Sequence, residues 1–356
     1  MSNLTSMATF LLLEFSEVRE LQILHFLVFL VIYLVKVTGN LLIILAIALD
    51  HHLHTPMYFF LINLAIMDLG TISVIVPKSM AVSLTNNRSI LYSGCVAQVF
   101  FYFIFAAADI SVLSIMAYDR YVAICNPLHY EKIMHRGACL QMVAFGWLAG
   151  LLYATLHTCG TFANTFCSNI VSQFFCEIPQ LLKLACSDIY LVEVGFTVLG
   201  CHVGAGCFIF IIITYVKIFS AVFRIPSVHG QKKALSTCLP HLIVFSLLVF
   251  SGIFAFARPP SDASSSVDIA FAAIYSIIPP MLNPFIYSMR NKDIKAALWK
   301  LLDFAHSTKT ISSYLSLSSW KVHIMFKGHL PETELNMQHV SSSHAFVCAA
   351  ATDTQE

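Results

Sequence analysis

Seven stretches of this chain are each long and apolar enough to cross a bilayer. They cover residues 23–49, 57–83, 97–122, 139–158, 191–223, 234–257 and 267–289. A helix needs about 20 mainly apolar residues to span the hydrocarbon core, where every backbone polar group must be satisfied internally. The runs are continuous rather than alternating every second residue, so transmembrane strands do not fit them. Composition agrees: 58% of the 356 residues are apolar and 11% are charged, against about 45–50% and about 25% in soluble domains. This excludes a disordered chain, a nucleic-acid binder built on a basic surface and most soluble enzymes. The formal net charge is +1, so no global field singles out an acidic or basic partner. The expected fold is all-α, a seven-transmembrane helix bundle in membrane lipid.

Basic residues set its orientation. One set of connections carries Arg120, Lys132, Arg136, Lys217, Arg224, Lys232, Lys233, Arg290, Lys292, Lys295 and Lys300; the other carries Arg19, Lys78, Arg88, Lys183 and Arg258. Eleven against five places the first set in the cytoplasm and, with seven spans, the N-terminus outside. The sequon Asn3-Leu4-Thr5 agrees, since glycans are added on the lumenal side, and makes Asn3 the candidate glycosylation site. A second sequon, Asn87-Arg88-Ser89, lies in the first outer loop, close to the membrane. The apolar run 10–13 is too short for a cleavable signal and ends at Glu14, so the first span is expected to act as its own targeting signal. The expected segments are an extracellular N-terminus over 1–22, the bundle over 23–290, a short amphipathic helix over 291–303 and a cytoplasmic tail over 304–356. That tail is rich in Ser and His without helical period, and reads as disordered.

The outer connection 159–190 contains Cys159, Cys167, Cys176 and Cys186, and Cys95 lies at the outer end of the third span. These positions face an oxidising compartment, where disulfides are expected. No C-x-x-C spacing suggests a metal.

Asp68 lies eleven residues into the second span, about 16 Å deep at 1.5 Å per residue. Asp109 lies eleven residues outward of Arg120, at a similar depth, and Asn40 and Asn283 fall in the same layer. Ionisable groups in a bilayer are costly and usually face the bundle interior. Two carboxylates and two amides at one depth are expected to hold Na⁺, a proton and water; a hydrogen-bonded packing knot is the alternative. Lys36, in the middle of the first span, either snorkels or reaches this cluster. At the cytoplasmic end Asp119 adjoins Arg120 and can hold its guanidinium at rest, unless the arginine is a plain interfacial anchor. Pro284 breaks the backbone ladder of the seventh span, which makes a bend cheap.

Five ordered motifs carry a family resemblance. They are Gly39-Asn40; Leu53-His54-Thr55-Pro56-Met57-Tyr58-Phe59-Phe60-Leu61; Met116-Ala117-Tyr118-Asp119-Arg120-Tyr121-Val122-Ala123-Ile124-Cys125-Asn126-Pro127-Leu128-His129-Tyr130; Lys233-Ala234-Leu235-Ser236-Thr237-Cys238; and Pro280-Met281-Leu282-Asn283-Pro284-Phe285-Ile286-Tyr287-Ser288. Over about residues 3 to 303 the chain resembles olfactory receptors, which are rhodopsin-like G-protein-coupled receptors. His52-Leu53-His54 and Leu239-Pro240-His241 resemble the family-14 branch of the tetrapod type.

The resemblance implies a small volatile ligand between the outer halves of helices three, five, six and seven. The matching positions are Tyr102, Phe103, Ala106, Ala107, Leu199, Val203, Gly252, Phe256 and Ser276. His202 reads as a satisfied core residue rather than a ligand contact. The resemblance also implies coupling to a stimulatory, olfactory-type G protein through Asp119, Arg120, Tyr121, Tyr215, Asn283, Pro284 and Tyr287. It implies the disulfides Cys95–Cys176 and Cys167–Cys186, with Cys159 left over. Three positions depart from the family pattern. Asp109 stands where Glu is usual, Val249 stands where the sixth helix usually carries Tyr, and Lys36 replaces an apolar residue. The other classes weighed are a receptor-like chain that does not signal, a transporter or channel, and a membrane enzyme. Against the last two, no internal repeat, broken-helix pair, H-E-x-x-H or G-x-S-x-G is present. No catalytic residue and no nucleic-acid partner are expected.

Overall fold

A computed structural model describes residues 8–13, 18–186, 190–224, 228–257 and 293–301. The expected seventh span and the tail beyond 301 lie outside the described residues. So do Asn3, Ser276, Asn283, Pro284, Tyr287 and the side chain of Phe256.

Six long helices occupy the places of the first six apolar runs. They are α1 (Arg19–Leu49), α2 (Pro56–Thr85), α3 (Tyr92–Cys125), α5 (Arg136–Phe162), α7 (Tyr190–Val222) and α8 (Val228–Ala257), with short helices α4 (Tyr130–Ile133) and α6 (Ile178–Lys183) between them. By length and composition α1, α2, α3, α5 and most of α7 can each cross a membrane. Their ends follow local chemistry. Pro56 opens α2 at the position where a missing N–H costs nothing. Asn86 closes it in the left-handed conformation, φ 56°. The first helix starts at Arg19, four residues before the apolar run, because Arg19 Nη2 reaches over to donate to the Leu84 carbonyl at 2.8 Å.

The central helix is α3, which packs on α2, α5, α7 and α8. Small residues let it approach α5 closely. A Cβ added at Gly150 would meet the Ile104 carbonyl oxygen at 2.9 Å, so only glycine fits at this crossing. The outward faces are apolar, as lipid requires: Phe145 is 74% exposed. On the inner side the helix α9 (293–301), the last among the described residues, buries Ile294 and Ala297, three residues apart, and exposes Lys295 and Lys300. This is the amphipathic pattern expected over 291–303.

The outer face carries a cap. The strand β1 (Thr9–Leu11) pairs antiparallel with β2 (Ser89–Leu91), placing Phe10 opposite Ile90. The connection after α5 adds to it through Leu11 N to Asn169 O at 2.7 Å and Val171 N to Leu11 O at 2.8 Å. Phe10 is fully buried, stacked on Tyr92 at 5.8 Å and edge-on to Phe166 at 5.4 Å. The short run around Phe10 thus becomes the keystone of the cap.

Candidate functional site

At the outer end, Cys95 of α3 is bonded to Cys176, and Cys167 to Cys186 within the loop. Cys159 lies in the last turn of α5, exposed and unbonded, because that helix runs four residues past its apolar run. Gln98, one turn below Cys95, works in both directions. Its amide nitrogen donates to Val74 O at 2.9 Å, and its oxygen accepts from Cys176 N at 2.8 Å. The loop therefore folds down into the bundle. Ser79 donates to Phe174 O at 3.1 Å, and Phe174 and Phe175 are buried against α1 and α2.

Below this cap lie the positions matched to the ligand pocket. Tyr102 is half-buried and meets Phe175 at 6.0 Å. Ala106 and Ala107 are half-buried beside it on α3. Phe103 is buried and faces α5, stacked on His157 at 4.9 Å. On α8, a Cβ added at Gly252 would meet nothing within 4 Å among the described residues. Leu199 and Val203 are 58% and 60% exposed and belong to none of the buried clusters, so the structure does not bring them together with Tyr102 and Phe103. His202, expected in the core, is instead exposed on α7, with its Nδ1 against Val198 O at 2.7 Å.

A second polar site lies between α5 and α7. His157 Nδ1 bonds the Glu193 carboxylate, and both side chains are buried. Both residues sit inside apolar runs, and an ionisable group within a span is a default signal of a site. Their pairing was not legible, because it depends on the rotation of two helices.

At midplane Lys36, Asn40, Asp68 and Asp109 are all buried, on α1, α2 and α3. Lys36 does not snorkel to either surface; it points inward and is 1% exposed. Asn40 donates to the Lys36 carbonyl at 3.1 Å on its own helix.

At the inner end Asp119 is completely buried. Arg120 donates to Asp119 Oδ2 from Nε at 3.0 Å and from Nη2 at 2.5 Å. The other oxygen, Oδ1, accepts from the Tyr130 hydroxyl at 2.7 Å. Burial first, then this bond and the Asp119 charge, push the Tyr130 phenol well above its ordinary pKa. Tyr130 belongs to the motif around Arg120, but its role emerges only from the turn that brings α4 back under α3. Tyr121 stacks near Tyr118 and carries Lys217 over its ring at 5.7 Å. Tyr215 is buried in the inner core with Cys238, Phe245 and Val249. Val249, where the family pattern has Tyr, fills that core with an apolar side chain. Lys300 of α9 bonds Asp50 Oδ2 at 2.9 Å, and Tyr58 donates to Asp293 Oδ2 at 3.3 Å. The Lys300 bond, then one from His52 N–H, holds Asp50 below the usual carboxylate range.

Among the described residues this geometry has no arrangement for covalent catalysis. It offers a capped outer half, a buried charged layer and a tied arginine at the cytoplasmic end. The sequence is similar to those of known proteins. A family model described as olfactory receptor matches residues 29–304. The human olfactory receptor 14A16 is 49% identical over 303 residues, 85% of this chain and 98% of that protein. Human olfactory receptors 14I1 and 14J1 are each 50% identical, over 302 and 303 residues. Each match covers 85% of this chain, with 97% and 94% of the respective relative.

Proposed function

The chain belongs to the olfactory receptor family, and from that premise we propose that a small volatile odorant binds in its outer half and that its inner face activates a stimulatory, olfactory-type G protein, raising cAMP. It is a seven-transmembrane odorant receptor of the plasma membrane, and not an enzyme. The ligand site in this proposal is mostly apolar, around Tyr102, Ala106, Ala107 and Gly252, as small-molecule pockets usually are. By the family resemblance Phe256 and Ser276 belong to the same ligand set. The G protein meets Asp119, Arg120 and Tyr121, with Tyr215, Asn283, Pro284 and Tyr287 carrying the rearrangement that opens the inner face.

The single observation that carries this reading is the triad of Tyr130, Asp119 and Arg120. A buried carboxylate whose two oxygens are both engaged ties down the one arginine a cytoplasmic partner would need. A ligand that favours the untied state shifts the population toward coupling. The test is a volatile library screened against a cAMP reporter in cells expressing the receptor. Ligand-dependent cAMP supports the reading, and surface-expressed receptor silent to all ligands but active through another G-protein reporter overturns the stimulatory class.

A further inference from the structure

The midplane layer contains more positive charge than a water-filled acidic pocket would. Lys36 lies about 20 Å from the inner end of α1, Asp68 about 18 Å from that of α2 and Asp109 about 24 Å from that of α3, at 1.5 Å per residue. The three helices are neighbours, since α2 packs on both α1 and α3. All three side chains are at least 94% buried: Lys36 is 1% exposed, Asp68 1% and Asp109 6%. The lysine nitrogen and Asp109 Oδ1 have no hydrogen-bond partner among the described residues. Among the described residues the charges acting on Lys36 are those of Asp68, the stronger, and Asp109.

We propose that Lys36 is a built-in counter-cation of this layer: its ammonium balances one of the two carboxylates, the other carries a proton, and the site takes no sodium ion.

Charge in a low dielectric favours this arrangement. Two neighbouring carboxylates cannot both ionise cheaply without a cation between them. A free cation would have to leave its water and lose its translational freedom. A lysine already anchored in α1 does neither on arrival, because folding has placed it there. With one carboxylate ionised and one protonated, the ammonium brings the layer to neutrality. A sodium ion would then add an unbalanced positive charge beside a buried ammonium, which is costly. Lys36 has the reach for this role, since a flexible four-carbon stem carries a compact charge. It also explains why a lysine is tolerated mid-span at all, where an uncompensated charge is expensive. Thermal stability reports this pairing whichever G protein the receptor uses.

The experiment uses the full-length receptor in lipid nanodiscs, melted in equal concentrations of sodium chloride or choline chloride. The parent is expected to melt at the same temperature in both. Lys36→Met, which leaves an acidic layer without its cation, is expected to gain a sodium-specific rise of roughly 3–6 °C. Lys36→Met combined with Asp68→Asn removes both partners and is expected to lose that sodium response. A sodium-specific rise in the parent, or a Lys36→Met protein indifferent to sodium, overturns the proposal. If Lys36→Met does not fold, the double variant decides: its recovery supports the charge pairing, and its equal failure overturns it.

Discussion

His157 on α5 and Glu193 on α7 hydrogen-bond to one another in the outer half of the bundle, with both side chains cut off from solvent. The pair is enclosed by aromatic rings. Phe103 stacks on the imidazole at 4.9 Å and Tyr153 meets its edge at 4.2 Å. Gly160 leaves the carboxylate its room, since a Cβ there would fall 2.5 Å from Glu193 Oε2. The pair therefore braces α5 against α7 at the level of the candidate ligand site.

Removing one member of a buried pair leaves the other uncompensated, at a cost of roughly 3–5 kcal/mol. Glu193→Ala should lower the melting temperature of the purified receptor sharply, and Glu193→Gln, which keeps a hydrogen-bonding partner, much less. The double variant His157→Phe with Glu193→Leu should recover most of the loss. A Glu193→Ala protein melting with the parent would remove the brace from the account.

The apolar runs made the helices legible, because a bilayer demands about 20 residues and the chain supplies them in order. They did not reveal which residues face one another. The runs of α5 and α7 are apolar nearly all round, so they carry little information about rotation, and adjacent residues differ by 100° about the axis. His157 and Glu193 are ionisable residues inside apolar runs, and nothing in those runs marks them as a pair. Lys36 was visible as an anomaly, and only the packing of α1 on α2 turned it inward. The strand Thr9–Leu11 was not legible, being too short to alternate and gaining its bonds from loops about 80 and about 160 residues away. The tie between Arg120 and Asp119 was legible, because the residues are adjacent; the Tyr130 contact depends on the turn at Pro127.

Gly252 gives a direct handle on the ligand site. Among the described residues an added Cβ there meets nothing within 4 Å, so Gly252→Val is expected to fold and to melt close to the parent. If the open space holds ligand, the new side chain competes with it. Filling a pocket by one or two methyl groups changes discrimination by about 10-fold or more. In a homologous odorant series, the longest members should lose potency first, read as shifted cAMP dose–response curves. An unshifted series would place the ligand away from α8.

The Asp50–Lys300 bond ties α9 to the turn after α1. The Asp50 pKa is lowered in the folded state, first by the Lys300 bond and then by His52 N–H. Its contribution is therefore fully present above the ordinary carboxylate pKa and is lost as pH falls through the lowered, folded value. No change is expected near neutrality. Because the pair is exposed, salt screens it as well. Hydrogen exchange in α9 should rise in acid and at high salt in the parent. Lys300→Met should exchange faster at neutral pH and respond less to either. Equal acid sensitivity in the variant would assign the effect to other carboxylates.

The inner triad makes the most specific forecast. Asp119 is wholly buried and its two oxygens serve different partners, Arg120 and the Tyr130 hydroxyl. Each bond favours the tied arginine, yet only the arginine can meet a partner. Loss of either tie and loss of the arginine should thus act in opposite directions. Asp119→Asn keeps the shape and removes the charge, so ligand-free cAMP should rise. Tyr130→Phe removes one hydrogen bond to a charged acceptor, worth about 1.5–3 kcal/mol. If that bond is made only at rest, the ligand-free active fraction should rise about 10-fold from a low base, at 1.4 kcal/mol per decade. Arg120→Ala should abolish coupling while surface level and ligand binding persist. Arg120→Lys should keep little of it, because a point charge cannot reproduce the planar fork that stacks and hydrogen-bonds together. The measurement is surface-normalised cAMP for each variant, with and without odorant. Should Tyr130→Phe lower ligand-free signalling as Arg120→Ala does, the tyrosine belongs to the active state and the resting lock is held by Asp119 alone.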